Sequence, residues 1–561
     1  MGGRVFNSPL TISWYGVVLT TMQVNLIGNV MNEFDYIVVG GGSGGCAVAG
    51  RLSEDPKVSV CLLEAGKSDD QMLIKVPFCT ALMLPTPINN WAFQTVPQPG
   101  LNGRRGYVPR GKALGGSSSI NAMVYTRGHP WDYDHWAALG NDGWSWREVL
   151  PYFRKSEHNE NFQDEYHGQD GPLNVANLRS MNPFQEIYLE AARQAGFPVI
   201  SDFNGADQEG IGIYQVTQKN GERWNAARAY LSPHLASRPN LKVITQARAR
   251  RIVFAGKRAS GVEFLQGGEV HTLQAKREVI LGAGALQTPQ LLLLSGIGAG
   301  AELQKFGIPV IHDLPGVGKN LQDHPDYVFN YRAKSLDLLG ISLGGSLKLI
   351  QEIGRYRKDR TGMMTSNGAE GGGFLRRYPD SPAPEFQLHF VIGMIDSHAR
   401  KLHLGHGYSC HICLLRPKSI GSVSLVNSDP ATAPEIDPKF FDHPDDLDAM
   451  VDGFKLTRKI MDAPALASIR SSEIYTAGIH SDDEIREELK RRSDTIYHPV
   501  GTCKMGSDAM AVVDSRLRVY GLEGLRVVDA SIMPTLIGGN TNAPTMMIGE
   551  KAADMIRADA R

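Results

Sequence analysis

The feature that most constrains this chain is Gly40-Gly41-Gly42-Ser43-Gly44-Gly45, because of what stands on either side of it. Asp35-Tyr36-Ile37-Val38-Val39 comes before, a β-branched run with the pattern of a strand buried on both faces. A helical pattern follows through Ala47, Val48, Arg51 and Leu52, and Val58 to Leu63 reads as a second strand ending at Glu64. Strand, glycine turn, helix, strand and acid, in that order, make the βαβ unit that holds a dinucleotide. Gly40 makes the tight turn, Gly42 lets the backbone approach a pyrophosphate, and Gly45 lets the helix pack on the strand. The helix start, from Ser43 on, turns free N–H groups towards the phosphates. Glu64 follows at about 20 residues, where an acid accepts from ribose hydroxyls. A lone GxGxxG says little in a chain with 61 glycines, so the weight lies on its neighbours. The unit does not separate NAD from FAD.

Further glycine-rich motifs punctuate the chain. Gly115-Gly116-Ser117-Ser118 offers closely spaced backbone donors and hydroxyls, suited to a phosphate or an isoalloxazine edge, although an ordinary Gly/Ser turn has the same composition. It runs on into Ile120-Asn121-Ala122-Met123-Val124. Later stand Gly284-Ala-Leu-Gln-Thr288-Pro289, His498-Pro-Val-Gly501, Val528-Asp529-Ala530-Ser531 and Gly538-Gly-Asn540-Thr-Asn542-Ala-Pro544-Thr545. Together, from about Glu33 to the carboxyl end, the chain resembles the glucose–methanol–choline (GMC) oxidoreductases. Asn90-Trp91-Ala92-Phe93 and the unbroken GGSSSINAM run look most like the bacterial FAD-dependent alcohol and choline dehydrogenases of that family.

The resemblance implies an α/β fold, with an FAD-binding Rossmann-like domain interleaved with an α+β substrate domain built on an antiparallel sheet. Residues 33–160, 226–330 and 498–561 are then expected in the FAD-binding part, and 161–225 and 331–497 in the substrate part. Beside Gly40, Gly42, Ser43, Gly45 and Glu64, it implies cofactor contacts from Trp91, Gly115, Gly116 and Ser117, with Asn121 and Val124 along the flavin. It implies a backbone contact of Ala249 to adenine, phosphate and ribityl contacts at Asp529 and Ala530, and contacts from Asn542 and Thr545 where the last helix opens. Some relatives tether FAD through a histidine just before the asparagine, but this chain has Ile120 there, so the flavin is expected to be non-covalent. Read alone, a histidine in a Gly/Pro turn such as His498 is a surface or core-capping residue. The resemblance makes it the base over the flavin, a role suited to imidazole. Asn542 would then orient the alkoxide, and Asn540 lies two residues before it.

On the substrate side, alternation in Glu385 to Val391 and in Ser422 to Val426 suggests an antiparallel sheet with one buried face, roofing the flavin. His389 and Phe386 cannot both face a pocket, because residues three apart on a strand oppose each other. Glu370 could receive a quaternary ammonium or serve the structure only. No aromatic cage of the kind choline favours is concentrated anywhere. The expected reaction is oxidation of a primary, aliphatic alcohol to an aldehyde, with electrons passed to an acceptor such as a quinone. Choline dehydrogenase and an O₂-using alcohol oxidase are the alternatives.

Composition excludes more than it assigns. Lys plus Arg is 58 against 59 for Asp plus Glu, so the basic excess of a nucleic-acid binder is absent. Six sparse cysteines form no disulfide framework and no metal site, which fits a reducing, cytoplasmic setting. Cys410 and Cys413 have CxxC spacing but lie on a strand pattern, where they point to opposite faces. Arg248, Arg250 and Arg251 read as a solvated face on a strand that pairs with the 243–245 run. Residues 1–32 read as an extension. Val17 to Val30 is apolar but too broken by polar residues to span a membrane, and Met31 is the expected natural start. A peripheral association with the inner face of the membrane is left open.

Overall fold

The computed structural model describes residues 32–560, so the expectation about Met1 to Val30 lies outside the described residues. Strand Glu33–Val39 lies between Val60–Leu63 and the carboxyl end of Glu269–Leu281, parallel to both. Leu241–Ile244 adds beyond Val60–Leu63, and Leu525–Val527 pairs parallel with Glu269–Leu281. Arg258–Gln266 and Arg248–Ala255 extend this seven-stranded sheet in antiparallel fashion. The 243–245 and 248–253 runs therefore do not pair with each other, against the expectation. Gln246 takes a left-handed turn, φ 55°, and the two strands join opposite ends of the sheet.

Helix Ser43–Leu52 covers the sheet next to the glycine turn, and the last helix, Asn542–Asp559, lies directly on it. A Cβ at Gly549 would stand 2.7 Å from the Ala47 Cβ and 2.8 Å from the Gly44 carbonyl oxygen, so the two helices touch through glycine and alanine. This contact brings residues 542–545 beside residues 40–45, which are remote in sequence, and assembles the site.

The second sheet has eight strands. Its spine runs Arg470–Ile474, Pro325–Ala333, Gly405–Leu414, Phe386–Val391, Ala369–Leu375 and Gly210–Ile213, each antiparallel to its neighbour. Pro325–Ala333 runs across the boundary drawn at residue 330. Phe386–Val391 is buried at every position, not on one face as its alternation suggested. Phe386, Leu388 and Phe390 enter a core with Tyr188, Met450 and Phe454. Gln387, His389 and Val391 face the opposite way, where a second layer covers them. The Ser422 run is a different element from the one expected. Gly421–Ser424 belongs to a separate three-stranded sheet with Lys319–Leu321 and Glu435–Asp437, where Val423 packs with Leu286, Leu321 and Ile436.

A short ladder ties strand Pro325–Ala333 to residues 494–495. Pro325 pairs with Thr495 and Asp326 with Asp494, which draws His324 up to His498. The six cysteines are buried and unbridged, and Cys410 and Cys413 enter separate cores. Among the described residues no helix is long and apolar enough to cross a membrane, and no cluster of three metal-ligating side chains occurs.

Candidate active site

Of the residues expected at the cofactor, all but Gly45 and Gly115 line one continuous cleft, together with His498. The cleft encloses about 2470 Å³, part of it open to solvent. The two exceptions stand behind its wall. A Cβ at Gly45 would meet the Gly40 carbonyl oxygen at 1.9 Å, and one at Gly115, φ 90°, would meet Ser119 Oγ at 2.4 Å. The two glycine turns themselves touch, since a Cβ on Gly116 would lie 2.7 Å from the Gly42 Cα. Helix Ser43–Leu52 begins at Gly42 with no side-chain cap and no acid in its first turn. Its free N–H groups thus open on the cleft, the arrangement that favours an anion.

Glu64 braces the turn. Its carboxylate accepts from Gly41 N at 2.9 Å and from Gly66 N at 2.7 Å. Burial raises its pKa to about 7, against the lowering effect of those two bonds and Lys112. Asp529 accepts from Gly284 N, Thr288 Oγ1 and Ser531 N, which ties the end of strand Leu525–Val527 to helix Gly284–Leu294. Asn121 Oδ1 accepts from Arg223 at 2.7 Å. Arg248 corrects the solvated reading: it lines the cleft and covers the Trp91 ring at 5.2 Å. Arg250 and Arg251 stand away from it, paired with Glu263.

At the other end of the cleft, backbone and side chain together hold His498. Its N–H donates to Asp323 Oδ1 at 2.9 Å, and Asp323 Oδ2 accepts from Thr495 Oγ1. The preceding residue, Tyr497, has φ 77°, a conformation that a non-glycine residue keeps only under constraint. Arg110 supplies one, donating to the Tyr497 carbonyl at 2.7 Å.

The ring of His498 meets two partners. Its Nδ1 is 3.0 Å from Nδ1 of His324, and its Nε2 is 3.2 Å from Nδ2 of Asn540. His324 Nε2 lies 3.0 and 3.2 Å from the carbonyl oxygens of Leu415 and Ile537. Carbonyls only accept, so that nitrogen carries the proton of the neutral ring and His324 Nδ1 is a bare acceptor. His498 Nδ1 therefore donates, and its lone pair is on Nε2. The partners assign the tautomer, and Asn540 agrees with it. Asn540 Oδ1 accepts from Thr126 Oγ1 at 3.1 Å and Gln387 Nε2 at 3.0 Å, which turns its NH₂ group to His498. Burial, then His324, His389 and Arg110, hold the His498 pKa well below the ordinary histidine value. Burial also takes His324 down to about 3. Both rings are neutral at pH 7.

Asn542, expected to orient the alkoxide, lines the cleft as His498 does. The Asn542 side chain is in the first turn of its helix, and its Oδ1 accepts from Ser43 Oγ at 2.7 Å. It shares the cleft with His498, but the amide in contact with the imidazole is that of Asn540. His324, Asp323, Arg110 and Asn540 were not singled out as a set. The run Gln322-Asp323-His324-Pro325, with an acid and a histidine ahead of a proline, was the available signal.

On the substrate side, His389 lines the cleft and neither ring nitrogen has a partner among the described residues. Phe386 points into the core instead, as the two-residue period requires. Glu370 accepts from Ser366 Oγ and Asn182 N and does not line the cleft, so it serves the structure. Among the described residues the acids lining the cleft are Glu64 and Asp529, both bonded to backbone N–H groups. Asp326 stands behind His411, 2.7 Å from its Nδ1.

Comparison with known proteins identifies the family of the chain. The amino-terminal profile of the family described as GMC oxidoreductase matches residues 34–326, and the carboxyl-terminal profile of the same family matches 417–549. The chain is 48% identical over 528 residues to an alcohol dehydrogenase (acceptor) of Pseudomonas putida, covering 93% of this chain and 95% of that one. It is 43% identical to the mitochondrial choline dehydrogenase of Homo sapiens, covering 94% and 90%. The crystal structure of a pyridoxine 4-oxidase from Mesorbium loti superposes with a TM-score of 0.83 at 31% identity, covering 93% of this chain and 98% of that one.

Proposed function

The chain belongs to the GMC oxidoreductase family, and on that basis we propose that it is an FAD-dependent dehydrogenase oxidising a neutral, primary alcohol to an aldehyde. The observation that carries the reading is the neutral His498, whose Nε2 is the acceptor nitrogen and meets the Asn540 amide in a cleft lined by no free carboxylate.

The residues fit FAD. Two long helices, Ser43–Leu52 and Asn542–Asp559, have amino termini without side-chain caps or first-turn acids, and residues of both termini line the cleft. Gly42 and Ser43 would hold the pyrophosphate, Glu64 the ribose, and Ala249 the adenine. Gly116, Ser117, Asn121, Val124 and Thr545 would hold the ring system, with Asp529 and Ala530 along the ribityl chain and Trp91 beside it. Ile120 lines the cleft with no nucleophile, which supports non-covalent binding. The interleaved division into a cofactor part around the seven-stranded sheet and a substrate part around the eight-stranded sheet goes with this reading.

When bound, FAD supplies the acceptor for the hydride of the alcohol carbon. His498 Nε2 takes the hydroxyl proton as the Asn540 amide turns from it to the alcohol oxygen, and Nδ1 keeps its hydrogen bond to His324 throughout. The amides of Asn540 and Asn542 donate to the oxygen as it gains charge, as oxyanion donors do. The partial positive charge at the start of helix Asn542–Asp559 favours negative charge on that side of the cleft. Asn542 and His498 are thus both in the site, while the contact of Asn540 with His498 gives it a share of the role first expected of Asn542.

The alcohol is proposed to be neutral because a quaternary ammonium would meet His411 and His389, while Asp326 stands behind His411 and does not line the cleft. Apolar neighbours, Phe78, Leu84, Val391 and Ile395, suit an aliphatic chain. A quinone is kept as the electron acceptor. Rates on octanol and choline, with a soluble quinone under argon and then in air, test the reading. Octanol is expected to be the better substrate, with little hydrogen peroxide formed. Faster turnover of choline, or peroxide in step with substrate loss, would overturn the substrate or the acceptor assignment.

A further inference from the structure

Helix Leu343–Asp359 leaves an apolar face in solvent. Leu343 is 81% exposed, Leu347 57% and Ile350 67%. They follow at i, i+4 and i+7 and so share one side of the helix. The opposite side is spent on the fold, where Tyr356, Leu349 and Ile353 pack on Val76, Cys79 and Met364. The exposed side continues onto neighbouring chain. Ile341 bridges to Leu404, and Leu402 and Leu404 are 72% and 74% exposed. Apolar groups gathered this way on a surface mark an interaction site, whereas scattered ones do not.

Charge says what the face meets. Past the apolar turns the same helix ends in Arg357 and Lys358, both exposed and neither paired with an acid among the described residues, against Asp359, while Glu352 is taken up by Met363 N and Arg355. Lys334 flanks Leu336 on the other side. Apolar turns followed by unpaired cations are the make-up of a helix lying in a lipid interface. A two-fold contact with a second copy would instead press a surface with an excess of cations against itself. The patch also borders the cleft. Leu339, two residues before Ile341, lines it, and so does Phe78, which packs in the same cluster as Tyr356.

We propose that the face formed by helix Leu343–Asp359 with Ile341, Leu402 and Leu404 docks the enzyme on an anionic lipid bilayer. The described residues then lie on the membrane, with the cleft next to the lipid phase. This surface does not rest on the identity of the alcohol, and its test needs no substrate.

The test is co-sedimentation of the flavin-loaded full chain with vesicles of phosphatidylglycerol and phosphatidylcholine, and with vesicles of phosphatidylcholine alone. The variants are Leu343→Asp/Leu347→Asp and Arg357→Glu/Lys358→Glu. These side chains are exposed, and turnover of a water-soluble alcohol is expected to be unchanged. Wild type should bind the anionic vesicles about tenfold more than the neutral ones. Both variants should lose about tenfold in anionic binding, the first through the apolar contact and the second through charge. Wild type left in the supernatant, or variants binding as wild type does, would overturn the proposal. So would a wild-type dimer without lipid that Leu343→Asp/Leu347→Asp converts to monomer, because a second copy would then cover the face.

Discussion

His324 and His498 meet nitrogen to nitrogen, 3.0 Å between their Nδ1 atoms and 87° between their ring planes. One nitrogen has to donate and the other accept, and the carbonyls of Leu415 and Ile537 decide which. In the proposed mechanism His324 is therefore a positioning residue: it holds the His498 imidazole in the tautomer whose Nε2 can take a proton.

His324→Phe removes the acceptor and frees the other tautomer. Flavin reduction should slow by part of the ~10²–10⁴-fold that a positioned base is worth, with KM little changed. His324→Asn keeps an acceptor oxygen and should recover part of the loss. Equal rates in the Phe and Asn variants, measured by rapid mixing, would mean that His324 only fills space.

Asn540 and Asn542 should separate by their pH dependence. The Asn540 NH₂ group donates to the neutral form of His498 and so lowers its pKa. Asn540→Ala removes that bond, raises the pKa and moves the acid limb of kcat/KM to higher pH. Asn542→Ala loses the contact with Ser43 and leaves the limb in place. Each should slow flavin reduction by about 10²–10³-fold if its amide acts as an oxyanion donor. A shifted limb in Asn542→Ala alone would reverse the two roles.

Glu64 braces the glycine turn and is proposed to meet the cofactor as well. Glu64→Ala leaves the N–H groups of Gly41 and Gly66 without their partner, at a cost of about 1–3 kcal/mol each. The variant should melt at lower temperature even without flavin, and bind FAD more weakly by roughly 1.5–3 kcal/mol. Calorimetry with and without FAD reads both. An apoprotein as stable as wild type would remove the brace.

The cofactor itself should be released by acid. Precipitation of the yellow protein should leave FAD in the supernatant, since Ile120 offers no atom to bond it. Flavin retained in the washed pellet would contradict non-covalent binding.

The glycine turn was legible because local sequence sets it: the strand, the three glycines and Glu64 fall within one short stretch and obey one backbone rule. The meeting of residues 542–545 with that turn was legible only through the resemblance, because nothing local announces the contact of Gly549 with Ala47. The tautomer of His498 was not legible at all. It depends on the ladder of Pro325–Asp326 with Asp494–Thr495 and on carbonyls from residues 415 and 537, and carbonyls have no sequence signature. The alternation of Phe386 to Val391 misled for a related reason. A polar residue at every second position normally marks a solvated face, whereas here Gln387 and His389 face inward, one bonded to Asn540 and the other lining the cleft.

The proposed mechanism stands or falls with His498 as the group that takes the alcohol proton. Anaerobic rapid mixing of flavin-loaded His498→Ala with the best alcohol substrate examines that step alone, through the rate at which the flavin absorbance bleaches. The expected rate is about 10²–10⁴-fold below wild type, with a changed pH dependence and FAD fully bound. Bleaching at the wild-type rate, with FAD fully bound, would take His498 out of the proton transfer.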